Sequence, residues 1–396
     1  MTLPILLGLA LGASEAAPLP RLRVEGPNFV DPAGRKVILR GVNLGGWFVE
    51  EIWMTPFAEN PPEGSDLPKV RDSKTLWEVV SRRLGNEAMV RVRNAWRDNW
   101  ITAEDFRRIA QRGFNHVRLP ILWTLTEEPG GMDRIRQAVR WATQNRLYVV
   151  LDLHGAPGGQ SMDHHTGEEG RNRLWFEPAN IAKLVRTWER LADAFADDPT
   201  VAVFNLMNEP MGAPNPAMLH LVHDRVIRAI RAKSPLPIVL FEDGYKGLET
   251  TPHLDLAGWT NAAYSIHTYN FDAKKESDHI ERLRAQAPRL AELMGYRNAP
   301  LYIGEFNLEP HSSPAATREV VLEFERHGWS WALWTYKTMA KGGPMGQWGL
   351  FSFPGPAEAV DPFRDSEADM IRKIRAVRTE SMREVPGLAE ALTRRP

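Results

Sequence analysis

The sequence predicts an α/β fold, a single (β/α)8 barrel of the TIM type. Eight short apolar runs alternate with helical stretches along the 396 residues, a pattern typical of a barrel of parallel strands. Several of the runs end in polar or charged residues, as barrel strands do at their carboxyl ends. No low-complexity linker divides the chain. We therefore expect one domain, in which long loops follow the strands.

The predicted elements follow one another in a regular order. Two turn clusters between residues 21 and 37 separate short apolar pieces and predict a short β-hairpin before the barrel. Thr102 and Asp105 have the spacing of a capping box at the start of a helix. The predicted helices cover 75–100, 102–112, 132–145 and 180–196. The predicted strands cover 37–47, 114–120, 147–155, 201–207, 238–244, 263–269, 301–306 and 329–336.

The composition narrows the classes of function. The 49 basic and 50 acidic residues leave a net charge of −1, so nothing directs the chain to nucleic acid or to anionic membranes. The chain has no cysteine, which excludes disulfides, thiolate metal sites and cysteine nucleophiles. Many of the 14 tryptophans lie near strand ends or in loops. Such flat apolar surfaces suit the faces of sugar rings, although each tryptophan alone is also explained as core.

The amino-terminal segment predicts export. Residues 3–13 are apolar and residues 14–17 are mostly small, which is the pattern of a signal peptide. The run is too short to cross a bilayer as a stable helix. It lacks the usual basic start, so a buried amino-terminal segment is the alternative. We therefore predict a signal peptide at 1–17, a catalytic domain at 18–396, a secreted or periplasmic location and, by default, a monomer.

Two strands end in a carboxylate. The fourth predicted strand stops at Asn208, Glu209 and Pro210, and the seventh contains Glu305 near its end. A lone glutamate there is also explained as a helix cap or a surface ion pair. Two carboxylates across a barrel mouth, however, suit the hydrolysis of a glycosidic bond, because one must donate a proton while the other is ionised.

Other strand ends add polar and aromatic side chains to the same face. Buried polar groups are costly unless they are paired, so packing alone explains the set poorly. We expect the two glutamates of this set to be catalytic and the other six residues to bind substrate. The strand-end residues are Arg118, His154, Asn208, Glu209, His267, Tyr269, Glu305 and Trp334.

The two carboxylates need different environments. We expect an arginine near Glu305 to keep it ionised, and a less charged setting to hold the proton of Glu209. Tyr269 would hydrogen-bond the nucleophilic carboxylate, Asn208 would hold a sugar hydroxyl, and Trp334 would form a floor under the sugar ring.

These residues and their motifs resemble glycoside hydrolase family 5, the retaining cellulase-like enzymes. All eight of that family's site positions are matched, in order, across most of the chain. The resemblance implies Glu209 as the general acid/base and Glu305 as the nucleophile of a double displacement, with no metal and no cofactor. The matching motifs are Val-Arg-Leu-Pro at Arg118, Leu-Asp-Leu-His at His154, Asn208-Glu209-Pro210, His267 with Tyr269, Ile-Gly-Glu-Phe at Glu305, and Trp334.

Within the family, two segments resemble the exo-β-1,3-glucanase branch, namely 40–49, which includes Asn43, and 154–160. By that likeness Glu51 would hold hydroxyls of the sugar in the −1 subsite, and Asn43 is a further candidate contact. The next residues, 161–165, depart from the branch, and Asp163 is expected to substitute there in a shifted register.

The sequence thus predicts a retaining glycoside hydrolase of β-glucosidic bonds in a glucan or glucoside, of the exo-β-1,3-glucanase or β-glucosidase type. An endo-acting β-glycanase of the cellulase or mannanase type and a glycosylceramide-type glycosidase remain alternatives. A metal-dependent hydrolase built on His154, His164 and His165 is disfavoured, because adjacent histidines seldom bind one metal. A sugar-binding protein without catalysis is disfavoured, because both carboxylates are present.

Overall fold

A computed structural model describes residues 18–339, 348–355 and 357–395 of the chain. The predicted signal peptide, 1–17, lies outside the described residues, as does 340–347 from the loop that follows the last predicted strand. Within the described part of the chain, no helix is long and apolar enough to cross a membrane.

The fold begins with a small antiparallel sheet. Strands β1 (Arg23–Glu25) and β2 (Asn28–Val30) form the predicted hairpin, and β3 (Lys36–Val37) adds a third strand. The carboxylate of Asp31 accepts the main-chain N–H of Ala33 at 2.9 Å, which turns the chain back toward β3. The sequence interpretation missed β3 because two residues are too few to show a periodic pattern.

Eight parallel strands then close into a barrel, which confirms the predicted fold. Each strand pairs with the next along the chain, and the last pairs with the first. Because the strands are parallel, their carboxyl ends share one mouth. The barrel strands are β4 (Arg40–Asn43), β5 (His116–Leu122), β6 (Tyr148–Gly155), β7 (Val201–Asn205), β8 (Ile238–Glu242), β9 (Ala262–Thr268), β10 (Leu301–Phe306) and β11 (Ser330–Leu333). A third sheet follows, with strands β12 (Lys337–Thr338), β13 (Phe351–Ser352) and β14 (Arg383–Glu384).

Helices alternate with the barrel strands. They are α1 (Ser73–Leu84), α2 (Asn86–Trp100), α3 (Ala103–Gln111), α4 (Gly131–Gln144), α5 (Pro178–Phe195), α6 (Pro216–Lys233), α7 (Leu254–Ala257), α8 (Glu276–Arg297), α9 (Pro314–Arg326), α10 (Glu367–Ala376) and α11 (Leu388–Thr393). The helix predicted over 75–100 is divided at Gly85, whose φ of +85° is strained for a residue with a side chain. The predicted capping box is present, since Asp105 accepts the Thr102 N–H at 2.7 Å.

The inner core lies at the amino-terminal end of the barrel. Leu39, Ile238 and Tyr302 pack there against Leu22 and Phe29 from the amino-terminal segment. All five side chains are buried. The small sheet therefore covers this end of the barrel, and the opposite mouth is open to a ligand.

Candidate active site

The carboxyl ends of the strands border a cavity of about 680 Å³. The parallel register places Glu305 of β10 opposite His267 of β9, and the main-chain N–H of Asn208 donates to Leu153, beside His154. The structure thus brings distant parts of the chain to one mouth. The predicted residues that line the cavity are Glu51, His154, Asn208, Glu209, His267, Tyr269, Glu305 and Trp334.

Glu209 and Glu305 lie close together in this cavity. An oxygen of each carboxylate and a ring nitrogen of His267 all lie within 4.8 Å of one another. The backbone of Glu209 has a φ of +39°, which is uncommon for a residue with a side chain. Its N–H donates to Oε2 of Glu242 at 2.8 Å, which holds this turn in place. Glu209 therefore belongs to a fixed turn at the strand end and does not cap a helix.

Arg118 lies beneath the carboxylates and is fully buried. Its guanidinium donates to Glu305 at 2.7 Å and to Asn208 at 2.7 Å, and it lies 3.0 Å from a carboxylate oxygen of Asp152. The prediction that Arg118 contacts the substrate is therefore wrong, because its donors face protein acceptors. It positions Glu305 and Asn208 instead.

Asn43 is also wrongly predicted as a sugar contact. Its side-chain oxygen accepts from Arg118 at 3.0 Å, and its amide nitrogen donates to the carbonyl of Gly304 at 3.0 Å. The side chain is fully buried and does not border the cavity. Asn43 therefore holds Arg118 in place from the end of β4.

Glu209 lies among more hydrogen-bond donors than the sequence predicted. Its Oε1 is 2.7 Å from Nδ1 of His267 and 2.8 Å from the hydroxyl of Tyr245, and its Oε2 is 3.5 Å from Nδ1 of His165. Burial alone would raise the pKa of Glu209, but His267, His165 and Tyr245 hold it well below the ordinary value. The expectation of a less charged setting is therefore wrong.

Glu305 has two donors. The hydroxyl of Tyr269 donates to its Oε2 at 2.7 Å, as predicted, and Arg118 donates to its Oε1. Burial raises the pKa of Glu305 above the ordinary value, although His267 and Arg118 oppose the shift, and the nearby Glu209 carboxylate adds to it. The expected contact with Arg118 is present, but it lowers the pKa of Glu305 by less than burial raises it.

Glu51 forms one wall of the cavity. Its Oε2 accepts from the indole of Trp53 at 2.9 Å and lies 3.2 Å from Nε2 of His164. Its Oε1 lies 3.7 Å from Nε2 of His154. Burial would lower the pKa of His154, but Asp152, 2.6 Å from its Nδ1, and Glu51 raise it to about 9. This wall is therefore rich in fixed charge.

Asp163 does not reach the cavity. It is exposed, and it precedes the short 3₁₀ helix His164–Thr166. The prediction that Asp163 binds substrate is therefore wrong, because the turn directs the next two side chains inward.

His164 faces Glu51 and His165 faces Glu209, and both histidines line the cavity. His154 pairs with Asp152 through its Nδ1, so each histidine of the metal-site alternative has a carboxylate partner.

Comparison with known proteins places this chain in a family. A family model described as "Cellulase (glycosyl hydrolase family 5)" matches residues 74–340. The chain belongs to glycosyl hydrolase family 5. A solved structure described as "Crystal structure of endogalactoceramidase" superposes with a TM-score of 0.60 over 95% of this chain and 85% of that chain, at 22% identity. At that identity, the likeness shows the fold alone.

Two relatives of this family 5 chain carry the name "Probable glucan 1,3-beta-glucosidase A". The Aspergillus niger protein is 33% identical over 254 residues, which cover 62% of this chain and 59% of the relative. The Aspergillus clavatus protein is 30% identical over 312 residues, which cover 76% of this chain and 72% of the relative. The match thus spans less than two thirds of the Aspergillus niger protein.

Aromatic side chains form much of the wall of this family 5 site. Trp334 stacks on His154 with ring centroids 5.4 Å apart. Phe271, 64% exposed, stacks on Tyr269 with centroids 5.3 Å apart. Sequence reasoning did not select Phe271 or Trp53. The available signal was their position, two residues after Tyr269 and Glu51 respectively.

Sequence reasoning also missed two polar residues near the end of β8. Glu242 is buried below the cavity, and Tyr245 reaches Glu209 from the loop that follows. The signal was the segment Phe241-Glu242-Asp243-Gly244-Tyr245, in which a buried strand ends in two acidic residues.

Proposed function

We propose that the chain is a retaining glycoside hydrolase, with Glu305 as the nucleophile and Glu209 as the general acid/base. The observation that carries this proposal is the spacing of the two carboxylates, whose nearest oxygens lie within 4.8 Å. Retaining glycosidases hold their carboxyl groups about 5–5.5 Å apart, whereas inverting ones leave about 6.5–9.5 Å for a water molecule. The spacing therefore suits direct attack on the sugar.

The reaction has two steps. Glu305 attacks the anomeric carbon while Glu209 protonates the leaving oxygen, which gives a covalent glycosyl-enzyme. Glu209 then takes a proton from water, and the water oxygen displaces Glu305 with net retention. Arg118 and Tyr269, each 2.7 Å from a carboxylate oxygen of Glu305, orient the nucleophile for this attack.

We propose a β-linked glucan or glucoside as the substrate, cleaved by exo-β-1,3-glucanase or β-glucosidase type action. Two relatives named as glucan 1,3-beta-glucosidases support this choice. Glu51, His154 and Asn208 offer charged and amide groups to sugar hydroxyls, and Trp334 offers an apolar face to a pyranose ring. We further propose export of the chain after removal of 1–17, which amino-terminal sequencing of the exported protein would test.

Product analysis tests the proposal most directly. Laminarin, β-1,6-glucan, cellulose and glucosylceramide are each incubated with the protein, and the anomer first released is followed by NMR. We expect glucose with retained β configuration from laminarin, and no effect of EDTA. An inverted product would contradict the mechanism, and release of long oligosaccharides or of ceramide would redirect the substrate assignment.

The nucleophile has its own test. Glu305→Ala is expected to abolish hydrolysis, yet azide should restore turnover of a dinitrophenyl β-glucoside and give an α-glucosyl azide, because the vacated space admits a small anion. Glu358→Ala, at an exposed ion pair, serves as the matched control and should behave as the wild type. Absence of rescue in a folded variant would contradict the assignment of Glu305.

A further inference from the structure

A third buried carboxylate lies behind the proposed catalytic pair. Glu242, the last residue of β8, is 3% exposed and does not border the cavity. Its Oε2 accepts the main-chain N–H of Glu209 at 2.8 Å, and its Oε1 lies 3.4 Å from Nε2 of His267. A buried carboxylate is costly unless its charge is compensated. The double-displacement chemistry has no direct use for Glu242, so another role is needed to explain it.

His267 lies between two carboxylates. Its Nδ1 is 2.7 Å from Oε1 of Glu209 and 3.4 Å from Oε2 of Glu305, and its Nε2 lies 3.4 Å from Oε1 of Glu242 without a hydrogen bond. Carboxylate oxygens within 3.4 Å of both ring nitrogens favour the imidazolium over the neutral ring. A Cβ added at Gly304 would lie 2.8 Å from Nε2, so only glycine leaves room for the ring in this orientation. The geometry therefore favours a charged histidine held in one position.

We propose that Glu242 is a positioning residue for the acid/base: it anchors the main chain of Glu209 and keeps His267 charged as the proton donor to Glu209. The inference rests on the proposed function, since it concerns the same proton transfer. The charges around His267 agree with it. Burial alone would lower the pKa of His267, but Glu242 and Glu305 raise it well above the ordinary value. The charged and titratable groups facing this cluster are Glu209, Glu242, Glu305, Arg118, His165, Tyr245 and Tyr269.

The proton then follows a defined route. As the bond between the anomeric carbon and the leaving oxygen breaks, the proton on Nδ1 of His267 passes to the ionised Glu209, and Glu209 delivers a proton to that oxygen. The new bond to Glu305 takes the place of the broken one. In the second step, the proton that leaves water passes to Glu209 and back to His267. The charge on Glu242 stays constant and stabilises the imidazolium at both ends of the cycle.

The pH profile of Glu242→Gln tests the proposal. The amide oxygen can still accept the Glu209 N–H, but the charge behind His267 is lost. The basic limb of kcat/KM for an alkyl β-glucoside, whose leaving group needs a proton, should move to lower pH by about one unit, which is about tenfold in rate on that limb. A dinitrophenyl β-glucoside needs no proton, so its kcat/KM at pH 5 should change less than about twofold.

A matched control comes from α9. Glu323 is another buried carboxylate that faces a histidine, with 3.1 Å between its Oε1 and Nε2 of His327, and it lies outside the site. Glu323→Gln should leave the profile unchanged. If the profiles of Glu242→Gln and the wild type coincide, the proposal is overturned. The proposal is also overturned if Glu242→Gln lowers kcat/KM for both substrates by the same factor at every pH, because Glu242 would then only hold the fold.

A direct readout separates this inference from the proposed function. Nitrogen NMR of histidine-labelled protein follows the protonation of His267, whether or not the chain hydrolyses a glycoside. We expect an imidazolium at pH 7 in the wild type, and in Glu242→Gln a midpoint of the His267 titration that lies about one pH unit lower. If Glu242→Gln does not fold, Glu242→Asp keeps the charge but withdraws it, and the His267 titration should move in the same direction by a smaller amount. A neutral wild-type ring would contradict the inference.

Discussion

The hydroxyl of Tyr245 donates to Oε1 of Glu209 at 2.8 Å, and His267 contacts the same oxygen at 2.7 Å. Two donors on one oxygen fix the direction in which the carboxyl group points, while its other oxygen lies 3.5 Å from Nδ1 of His165. Tyr245 lies on the loop after β8 and itself has a φ of +59°, so its position depends on an unusual backbone turn.

Tyr245→Phe should therefore slow the acid-dependent reaction selectively. The loss of one hydrogen bond to a charged carboxylate is expected to lower kcat/KM about tenfold for an alkyl β-glucoside, equivalent to about 1.4 kcal/mol. The kcat/KM for a dinitrophenyl β-glucoside should fall much less. Tyr296→Phe, at a 79% exposed tyrosine on α8, is the matched control. An equal loss on both substrates would mean that Tyr245 binds the sugar and does not orient the acid.

Removal of the acid/base should separate substrates by their leaving group. Glu209→Ala is expected to lower kcat/KM for alkyl glucosides by about 10²–10⁴-fold, the usual contribution of general acid catalysis. Activated aryl glucosides should lose far less in the first step, and azide should then yield a β-glucosyl azide. Steady-state and burst kinetics on both substrates check this. Equal loss on both would leave the division of roles unsupported.

The acid limb of the pH profile should report the nucleophile. Glu305 attacks only when ionised, and burial raises its pKa above the ordinary 4.5. Activity on a dinitrophenyl β-glucoside is therefore expected to fall as the pH drops through a value higher than 4.5. Tyr269→Phe removes a donor that favours the ionised form of Glu305. The acid limb of this variant should therefore lie at a higher pH than that of the wild type. A limb below the wild-type value in Tyr269→Phe would contradict this explanation.

His223 on α6 limits stability in acid. The ring is fully buried against Phe241, and neither nitrogen has a hydrogen-bond partner among the described residues. Burial lowers its pKa to about 3 from 6.5, so the unfolded chain binds this proton and the folded chain does not as the pH falls from 6.5.

His223→Leu should therefore stabilise the protein. We expect the free energy of unfolding to rise by about 1 kcal/mol at pH 7, because two unpaired buried nitrogens are removed. At pH 5 it should rise by about 2 kcal/mol more, because the unfolded variant no longer gains a proton at this position. Urea unfolding at the two pH values measures both terms. His311→Leu, at a partly exposed histidine, is the control. A gain that does not grow on acidification would show that burial does not suppress the protonation of His223.

His164 should set the length of the released product. It contacts Glu51 and, together with Trp53, also borders a second cavity of about 220 Å³, so the two rings lie between that cavity and the catalytic one. His164→Ala is expected to let a longer non-reducing end enter, with laminaribiose released beside glucose. Chromatography of laminarin digests measures this. Met162→Ala, at an exposed neighbour, should release glucose alone. If His164→Ala also releases glucose alone, other residues must limit the length of the chain end that enters the catalytic cavity.

Much of the site could be predicted because strand ends follow from local pattern. Asn208, Glu209 and Glu305 each end an apolar run, and a parallel barrel brings such ends to one mouth whatever the details of packing. The contact between Tyr269 and Glu305 follows similarly, because β9 and β10 are neighbours in register.

The depth of a side chain below the mouth could not be predicted. Arg118 and Asn43 lie at strand ends like the others, yet they point into a hydrogen-bond network beneath the cavity. Asp163 faces solvent because the 3₁₀ helix that follows it, His164–Thr166, turns the next two side chains toward the cavity, which the sequence does not show. The low pKa of Glu209 depends on distances to His165 and His267, which come from separate elements.

The pairing of β4 with β11 joins segments that are far apart along the chain. The N–H of Leu39, just before β4, donates to the hydroxyl of Ser330 at 2.9 Å across 291 residues. A nascent chain therefore displays an unpaired edge on β4 until residue 330 has been made, and open edges invite association with other chains. Folding should accordingly be slow and late, because long-range parallel pairing carries a high loop-closure cost. Fragments that stop before β11 are expected to aggregate and not to retain a partial site.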